Sequence, residues 1–286
     1  MSRVATIDRA RRPTRPCPLC GPRDVVPGDA ARPLPPRPVV CAACGLVFVD
    51  PVPDDAVSES TYDAGYYEPW QGEQASSRRR MWRRRLALLR RRQPAGSLLD
   101  VGCGDGQFLE AARAQGWRAD GIEFSPEGAR RAAARLGRPV AVGDLARTTH
   151  LKGPFDVVTL WHVVEHLVDP RAMLEAARSR LSPGGLLVVA VPNLDNLPMR
   201  VAYRVARGRA LPLYEAGWRE PHLSHFDAVT LRALLRGAGF DAIEIIPDRC
   251  ALEPAKRVID AVAAALGAMG GRLLTDAIVA FSRRKP

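Results

Sequence analysis

Three observations predict a doubly wound α/β fold built on a seven-stranded sheet. An apolar run, Leu98-Leu99-Asp100-Val101, too short for a helix, enters three glycines at alternate positions (Gly102, Gly104, Gly106). A helix follows over 107–115, with Phe108, Leu109 and Ala112 on one stripe. Six further short apolar runs then alternate for the most part with helical periodicity, and acids (Asp100, Glu123, Asp144) stand at the ends of the first three strands.

A turn made of glycines lets a ligand lie against the backbone, because no Cβ blocks its approach. GxGxG differs by one residue from the dinucleotide fingerprint GxGxxG, whose helix N-terminus faces a pyrophosphate. Here Asp105 inside the loop and Asp100 at the strand end would repel phosphate and suit a cationic ligand.

The chain has 286 residues, 47% of them hydrophobic, enough for a full α/β core and a small extra module. No apolar run reaches the roughly eighteen residues of a membrane span. The basic start has no apolar segment behind it, so no secretory signal is expected and the protein reads as cytoplasmic. The formal charge of +11 is local: residues 1–16 carry +4 and residues 78–92 carry +9, which leaves the remainder at −2. A near-neutral body argues against reading the basicity as a nucleic-acid footprint.

From the N-terminus, Cys17-Pro18-Leu19-Cys20 and Cys41-Ala42-Ala43-Cys44 form two CxxC pairs separated by twenty residues. That spacing predicts a structural zinc ribbon with four thiolate ligands and no open position. Cys103 and Cys250 read as buried structural thiols. Leu46 to Val49 reads as a strand. Tyr62, Tyr66, Tyr67 and Trp70 concentrate aromatics in a chain that is only 6% aromatic. Arg78 to Arg92 reads as a helix with Trp82, Leu86 and Leu89 on its apolar stripe and arginines on the other faces.

The second strand, Trp117 to Phe124, closes on Glu123, which is placed to accept two hydrogen bonds from a ribose diol. Phe124 is a candidate to stack on a base. Ser125-Pro126 starts the next helix by capping chemistry. Pro139 to Gly143 is a third strand, ending at Asp144, and Phe155 to Leu160 is a central fourth, ending in Trp161-His162. Asp169-Pro170 opens a helix running to Leu181, Ser182 to Gly185 stops it, and Leu186 to Val191 is the fifth strand. Residues 194–226 break the alternation with a long aromatic segment holding His222 and His225. Thr230 to Ala238 is then a helix, Phe240 to Ile246 and Ala277 to Arg283 the last two strands, and Leu252 to Met269 an amphipathic insertion packed on the body or on a second subunit.

Asp100-Val101-Gly102-Cys103-Gly104-Asp105-Gly106 resembles motif I of the class I S-adenosylmethionine-dependent methyltransferases, whose Rossmann-like sheet binds a ligand bearing a sulfonium and an amino group. The whole order resembles a zinc-ribbon group of these enzymes, in which CxxCG, CxxCG, an aliphatic strand and YxxxYY precede motif I. The resemblance implies S-adenosylmethionine bound by Asp100, Gly102, Cys103, Gly104, Gly106, Glu123, Phe124, Asp144, Leu145 and Trp161, under an aromatic lid that includes Tyr66. It also implies an adenine amino contact at Asp144. Pro221 to Phe226 resembles the family's HLxHF run closing the acceptor side, where His225 or His222 could take a proton. His162 to His166 resembles the ExxEH metal site of ubiquinone-pathway O-methyltransferases, with His162 in place of the first glutamate.

The expected organisation is a disordered basic tail (1–16), the zinc ribbon (17–50), an aromatic linker with an Arg-rich helix (51–92) and a methyltransferase domain (93–286) with an acceptor-side insertion (194–226). The expected acceptor is a small molecule, such as a sugar, glycan precursor or secondary metabolite, anionic or carrier-linked in some variants. A homodimer is compatible with this reading; a nucleic-acid or membrane partner is not expected. An RNA methyltransferase using the ribbon and the Arg-rich helix, and a non-catalytic cofactor-binding scaffold, are the competing readings.

Overall fold

A computed structural model describes residues 7–8, 11–22, 25, 34–54, 59–72, 74–148, 151 and 153–285. Among these, the larger sheet contains β3 (Ser97–Val101), β4 (Arg118–Glu123), β5 (Ala141–Val142), β6 (Phe155–Trp161), β7 (Leu181–Pro192), β9 (Phe240–Asp248) and β10 (Ala277–Arg284). Their spatial order is β5-β4-β3-β6-β7-β10-β9. Only β10 runs against its neighbours. The order reverses between β3 and β6, and in an open α/β sheet the crevice beyond the carboxyl ends at such a point is where ligands bind.

Packing follows the strand patterns. Val157, Val158 and Leu160 of β6 and Leu187 to Val191 of β7 are fully buried, as strands covered on both faces must be. One face carries α3 (Gln107–Arg113) and α2 (Ala75–Arg90), where Met81, Trp82, Leu86 and Leu89 join Phe108 and Leu109 in one core. On the other, Leu174 and Ala177 of α5 (Pro170–Arg180) and Leu231, Leu234 and Leu235 of α7 (Ala228–Gly237) build the second core. Helix starts obey capping chemistry: Ser125 caps α4 (Pro126–Leu136), Asp169 caps α5, and Asp227 and Thr230 close a capping box on α7.

A second, three-stranded sheet has the order β1-β2-β8 and is built from β1 (Arg37–Val40), β2 (Val47–Asp50) and β8 (Ser224–His225). The cysteine-bearing segment thus shares a sheet with the far end of the 194–226 segment. Phe48, Leu46 and Val39 continue into the core made with Phe226 and Leu231, so this module is not packed on its own.

The structure departs from the sequence expectations in five places. The described part of the tail is ordered: Thr14 and Arg15 donate backbone hydrogen bonds to buried Asp50, and Arg11 pairs with it at 3.3 Å. The remainder of the tail and half of the Pro-rich loop between the cysteine pairs lie outside the described residues. The third strand shrinks to Ala141–Val142. Ser182 to Gly185, expected as a turn before the fifth strand, is an irregularity inside β7, where the register with β6 shifts. Within 194–226, residues Leu197–Arg207 form helix α6. Finally, α8 (Pro254–Gly270) buries Asp260, Ala263 and Gly267 and leaves Val258, Val262 and Leu266 exposed. Small residues let a helix approach its support closely, which a stripe of branched side chains does not allow.

Candidate functional site

Beyond β3 the chain makes the glycine turn. Gly102, Gly104 and Gly106 have φ of 72°, 55° and 75°, the left-handed region that penalises other residues. A Cβ on Gly102 would lie 2.7 Å from the Val163 side chain, and one on Gly104 would lie 2.7 Å from the Trp70 ring. Conformation and crowding both require glycine.

Glu123, at the end of β4, reaches across to this turn. One of its oxygens accepts the Gly104 N–H at 2.7 Å and the other the Ser125 N–H at 3.0 Å. Burial raises its pKa while these backbone donors oppose the rise. Each oxygen keeps a second lone pair for a ligand hydroxyl. Asp100 is also enclosed, accepting from Thr159 Oγ1 at 2.6 Å. Burial pushes its pKa up to about 8, which keeps it largely protonated at neutral pH. Asp105 departs from the sequence reading: it is buried and paired with Arg135 at 2.9 Å and Arg78 at 3.8 Å. Its charge is balanced within the protein and is not offered to a ligand. Of the other candidates, Cys103, Leu145 and Trp161 are buried, while Phe124 and Asp144 are partly open. Burial keeps the Cys103 thiol protonated.

Across this turn lies α1 (Ala64–Gln71), which Asp63 caps. Trp70 covers Gly104, Tyr67 rests against Gly128 and Glu123, and the Ser125 hydroxyl donates to the Tyr62 carbonyl at 2.8 Å. Tyr66 is stacked edge-on against Tyr62 and Tyr67 at 5.0 Å, and turns its hydroxyl to Glu220 at 2.7 Å. Tyr62 donates to the other Glu220 oxygen at 3.0 Å. Glu220 therefore ties the aromatic segment to the 194–226 segment.

The other side of the crevice begins at His162, which has a strained φ of 57°. Its Nε2 lies 2.8 Å from Arg85 Nη2 and its Nδ1 3.2 Å from Glu165 Oε1. Burial works against a charged ring, and so does the Arg85 contact: guanidinium only donates, so Nε2 accepts and His162 is the neutral Nδ1–H tautomer, donating to Glu165. Arg85 is wholly buried between the Trp82 and Trp161 rings and forms a tight ion pair with Asp248.

Glu165, His166 and His222 bring potential ligand atoms within 4.8 Å of one another. The His166 and His222 rings are 4.9 Å apart, and His225 follows at 6.1 Å. Burial lowers His222 to about 3 and His225 to about 4, so both are neutral at pH 7. Glu165 Oε2 and His225 Nε2 are buried without a protein hydrogen-bond partner. The cluster offers neutral imidazole nitrogen and carboxylate oxygen, a donor set suited to a proton or a divalent cation. His162, Asp248 and Cys250 form a second such group, but Arg85 already fills it with positive charge.

The four N-terminal cysteines converge as expected. Cys17 and Cys44 sulfurs are 3.6 Å apart, and those of Cys20 and Cys41 are 3.5 Å apart. Thiolates at ~2.3 Å from a tetrahedral ion would be ~3.8 Å apart, so the set fits one metal with little adjustment.

Sequence reasoning missed Arg78, Arg85, Glu220, Asp248 and the contact role of Cys250. Arg78 and Arg85 were expected on solvated faces, yet both are buried. The signal was present: residues 78, 82, 85, 86 and 89 share one helical face. A surface cavity of about 570 Å³ lined by Ser97, Arg113, Trp117 and Arg118 lies at the amino ends of β3 and β4, opposite this site.

A methyltransferase-domain family model matches residues 74–245. A ubiquinone biosynthesis O-methyltransferase of Xanthomonas axonopodis pv. citri is 31% identical over 166 residues, which cover 54% of this chain and 67% of that one. Its counterpart in Caulobacter sp. is 35% identical over 104 residues, covering 34% of this chain and only 40% of that one. Among solved structures, an S-adenosylmethionine-dependent methyltransferase from Thermotoga maritima superimposes with a TM-score of 0.54 at 18% identity, covering 79% of this chain and 99% of that one. At that identity the likeness speaks to the fold alone.

Proposed function

The chain belongs to the class I S-adenosylmethionine-dependent methyltransferases, and from that premise we propose that it methylates a small hydroxylated molecule held between the glycine turn and the histidine cluster. The observation that carries this reading is what the chain brings together at the switch point: a glycine turn bridged to buried Glu123, and, after β6, the Glu165, His166 and His222 group, which Glu220 ties to the aromatic segment over that turn. The cofactor, when bound, supplies a methyl group on a positively charged sulfur.

The chain's own residues divide the remaining work. Gly102, Gly104 and Gly106 admit the cofactor to the backbone, Glu123 takes the ribose hydroxyls, and Asp144, Leu145 and Phe124 take the adenine. Asp100 and Trp161 line the floor, and Cys103 packs behind the turn. Tyr66 and its neighbours cover the crevice and exclude water. The acceptor hydroxyl would lie against His222 and His225, with the neutral lone pairs receiving its proton and buried Glu165 stabilising the resulting imidazolium. Residues Cys17, Cys20, Cys41 and Cys44 would hold a structural zinc ion. The curated relatives are named for ubiquinone biosynthesis, which favours an O-methyl acceptor of low molecular weight.

An RNA acceptor is less well supported, because the Arg-rich helix spends much of its charge internally: Arg78 and Arg85 are buried, and Arg92 pairs with Glu244 at 2.7 Å. The test is methyl transfer from methyl-labelled S-adenosylmethionine to a panel of phenols, sugar nucleotides and RNA. Label is expected in a small hydroxylated compound; label in RNA alone would overturn the proposal.

A further inference from the structure

The second sheet connects two regions that the chain separates by about 180 residues. Strand β2 leaves the Cys41–Cys44 knuckle after two residues and lies between β1 and β8. Its register with β8 sets Val47 opposite His225 and Phe48 opposite Ser224. The Val49 N–H donates to the Leu223 carbonyl at 3.0 Å, and the Leu223 N–H donates in turn to the Glu165 carbonyl at 2.7 Å. A continuous run of backbone bonds therefore leads from the cysteine cluster to the residues that form the histidine group.

Strand β8 has two residues, and β1 and β2 have four each. Strands this short do not persist without an anchor. One end of β2 is anchored by Asp50, which collects Arg11, Thr14 and Arg15, while Arg15 stacks over the Phe48 ring at 5.0 Å. The other end enters the cysteine knuckle, where Gly45 N–H donates to Cys41 and Cys41 N–H to Leu46. A metal ion held by all four sulfurs would make that end of the strand a rigid corner.

We infer that the ribbon is a positioning element of the acceptor side: metal held by Cys17, Cys20, Cys41 and Cys44 fixes β2, and β2, through its pairing with β8, fixes His222 and His225 over Glu165. The glycine turn and Glu123 belong to the other sheet, which the ribbon meets through side-chain packing in the shared core. This inference rests on the zinc reading above, and two experiments separate their failures.

Metal content and amide hydrogen exchange are measured on the full chain as purified and after removal of metal by a chelator. Stripping is expected to raise exchange in residues 221–226 at least tenfold, while exchange in residues 97–123 and affinity for S-adenosylhomocysteine change less than twofold. Unchanged exchange in 221–226 overturns the coupling. A general rise that includes 97–123 and abolishes S-adenosylhomocysteine binding also overturns it, since the ribbon would then support the whole domain. The Val49→Pro variant removes the N–H that reaches Leu223 and keeps all four cysteines. It is expected to retain one zinc per chain and to reproduce the rise in 221–226; retained zinc with wild-type exchange overturns the coupling. Purified protein without zinc overturns the metal reading, and Val49→Pro then decides the strand pairing separately.

Discussion

The two sides of the crevice are built in different ways. The glycine-turn side comes from one continuous strand, turn and helix, completed by Glu123 at the next strand end, and its hydrogen bonds are largely backbone donors meeting a carboxylate. The histidine side is assembled from α2, residues 162–166, residues 220–225 and the end of β9, and side-chain contacts between these segments stand beside the Leu223–Glu165 backbone bond. The first is dictated by local geometry. The second exists only after several remote segments have packed, and in the proposed function it is the side that meets the acceptor.

Breaking the remote assembly should therefore cost most in stability. Arg85→Ala leaves Asp248 buried and uncompensated, and a loss of ~3–5 kcal/mol is expected in urea unfolding. Arg85→Met paired with Asp248→Leu should recover much of it. If the single change costs under ~1 kcal/mol, the buried pair does not organise this side.

Next in size is the glycine turn. Gly104→Ala combines a left-handed φ with a clash against Trp70, and the strain of ~1–2 kcal/mol is expected to appear mainly as weaker S-adenosylmethionine binding, five- to thirty-fold in a titration. Wild-type affinity would show that the turn does not contact the cofactor.

Asp100 gives a pH signature. Its pKa of about 8 means that the protonated form dominates below that pH. A cation bound nearby favours the carboxylate, so S-adenosylmethionine binding at pH 7 should release a proton, and S-adenosylhomocysteine, whose sulfur carries no charge, should release less. Binding heats measured in buffers of different ionisation enthalpy read this directly. Equal release by the two ligands would remove Asp100 from the cationic cradle.

The smallest effect is expected on the exposed face of α2. Arg79, Arg80 and Arg83 changed to Gln should leave stability within ~0.5 kcal/mol and cofactor affinity unaltered. A marked loss of activity toward an anionic acceptor would instead give that face a binding role.

This contrast also explains what could be read before the structure. Leu98 to Gly106, Glu123, Ser125-Pro126 and Asp169-Pro170 announce themselves because strand, turn and cap chemistry act within a few residues. Strand β8 could not be read, since two residues become a strand only by pairing with β2. Glu220 is equally silent in the sequence: its role follows from Tyr62 and Tyr66, more than 150 residues earlier. Arg85 was legible in phase but not in kind, because a charged residue on an apolar face is interpretable only once Asp248 and His162 are beside it.

The division of labour is tested most directly by titrating S-adenosylmethionine into two variants, Glu123→Gln and His222→Gln. Glu123→Gln should weaken binding by roughly a hundredfold, given ~1.5–3 kcal/mol for each hydrogen bond to a charged group, and His222→Gln should change it less than twofold. Equal losses in the two, or wild-type affinity in Glu123→Gln, would contradict the account.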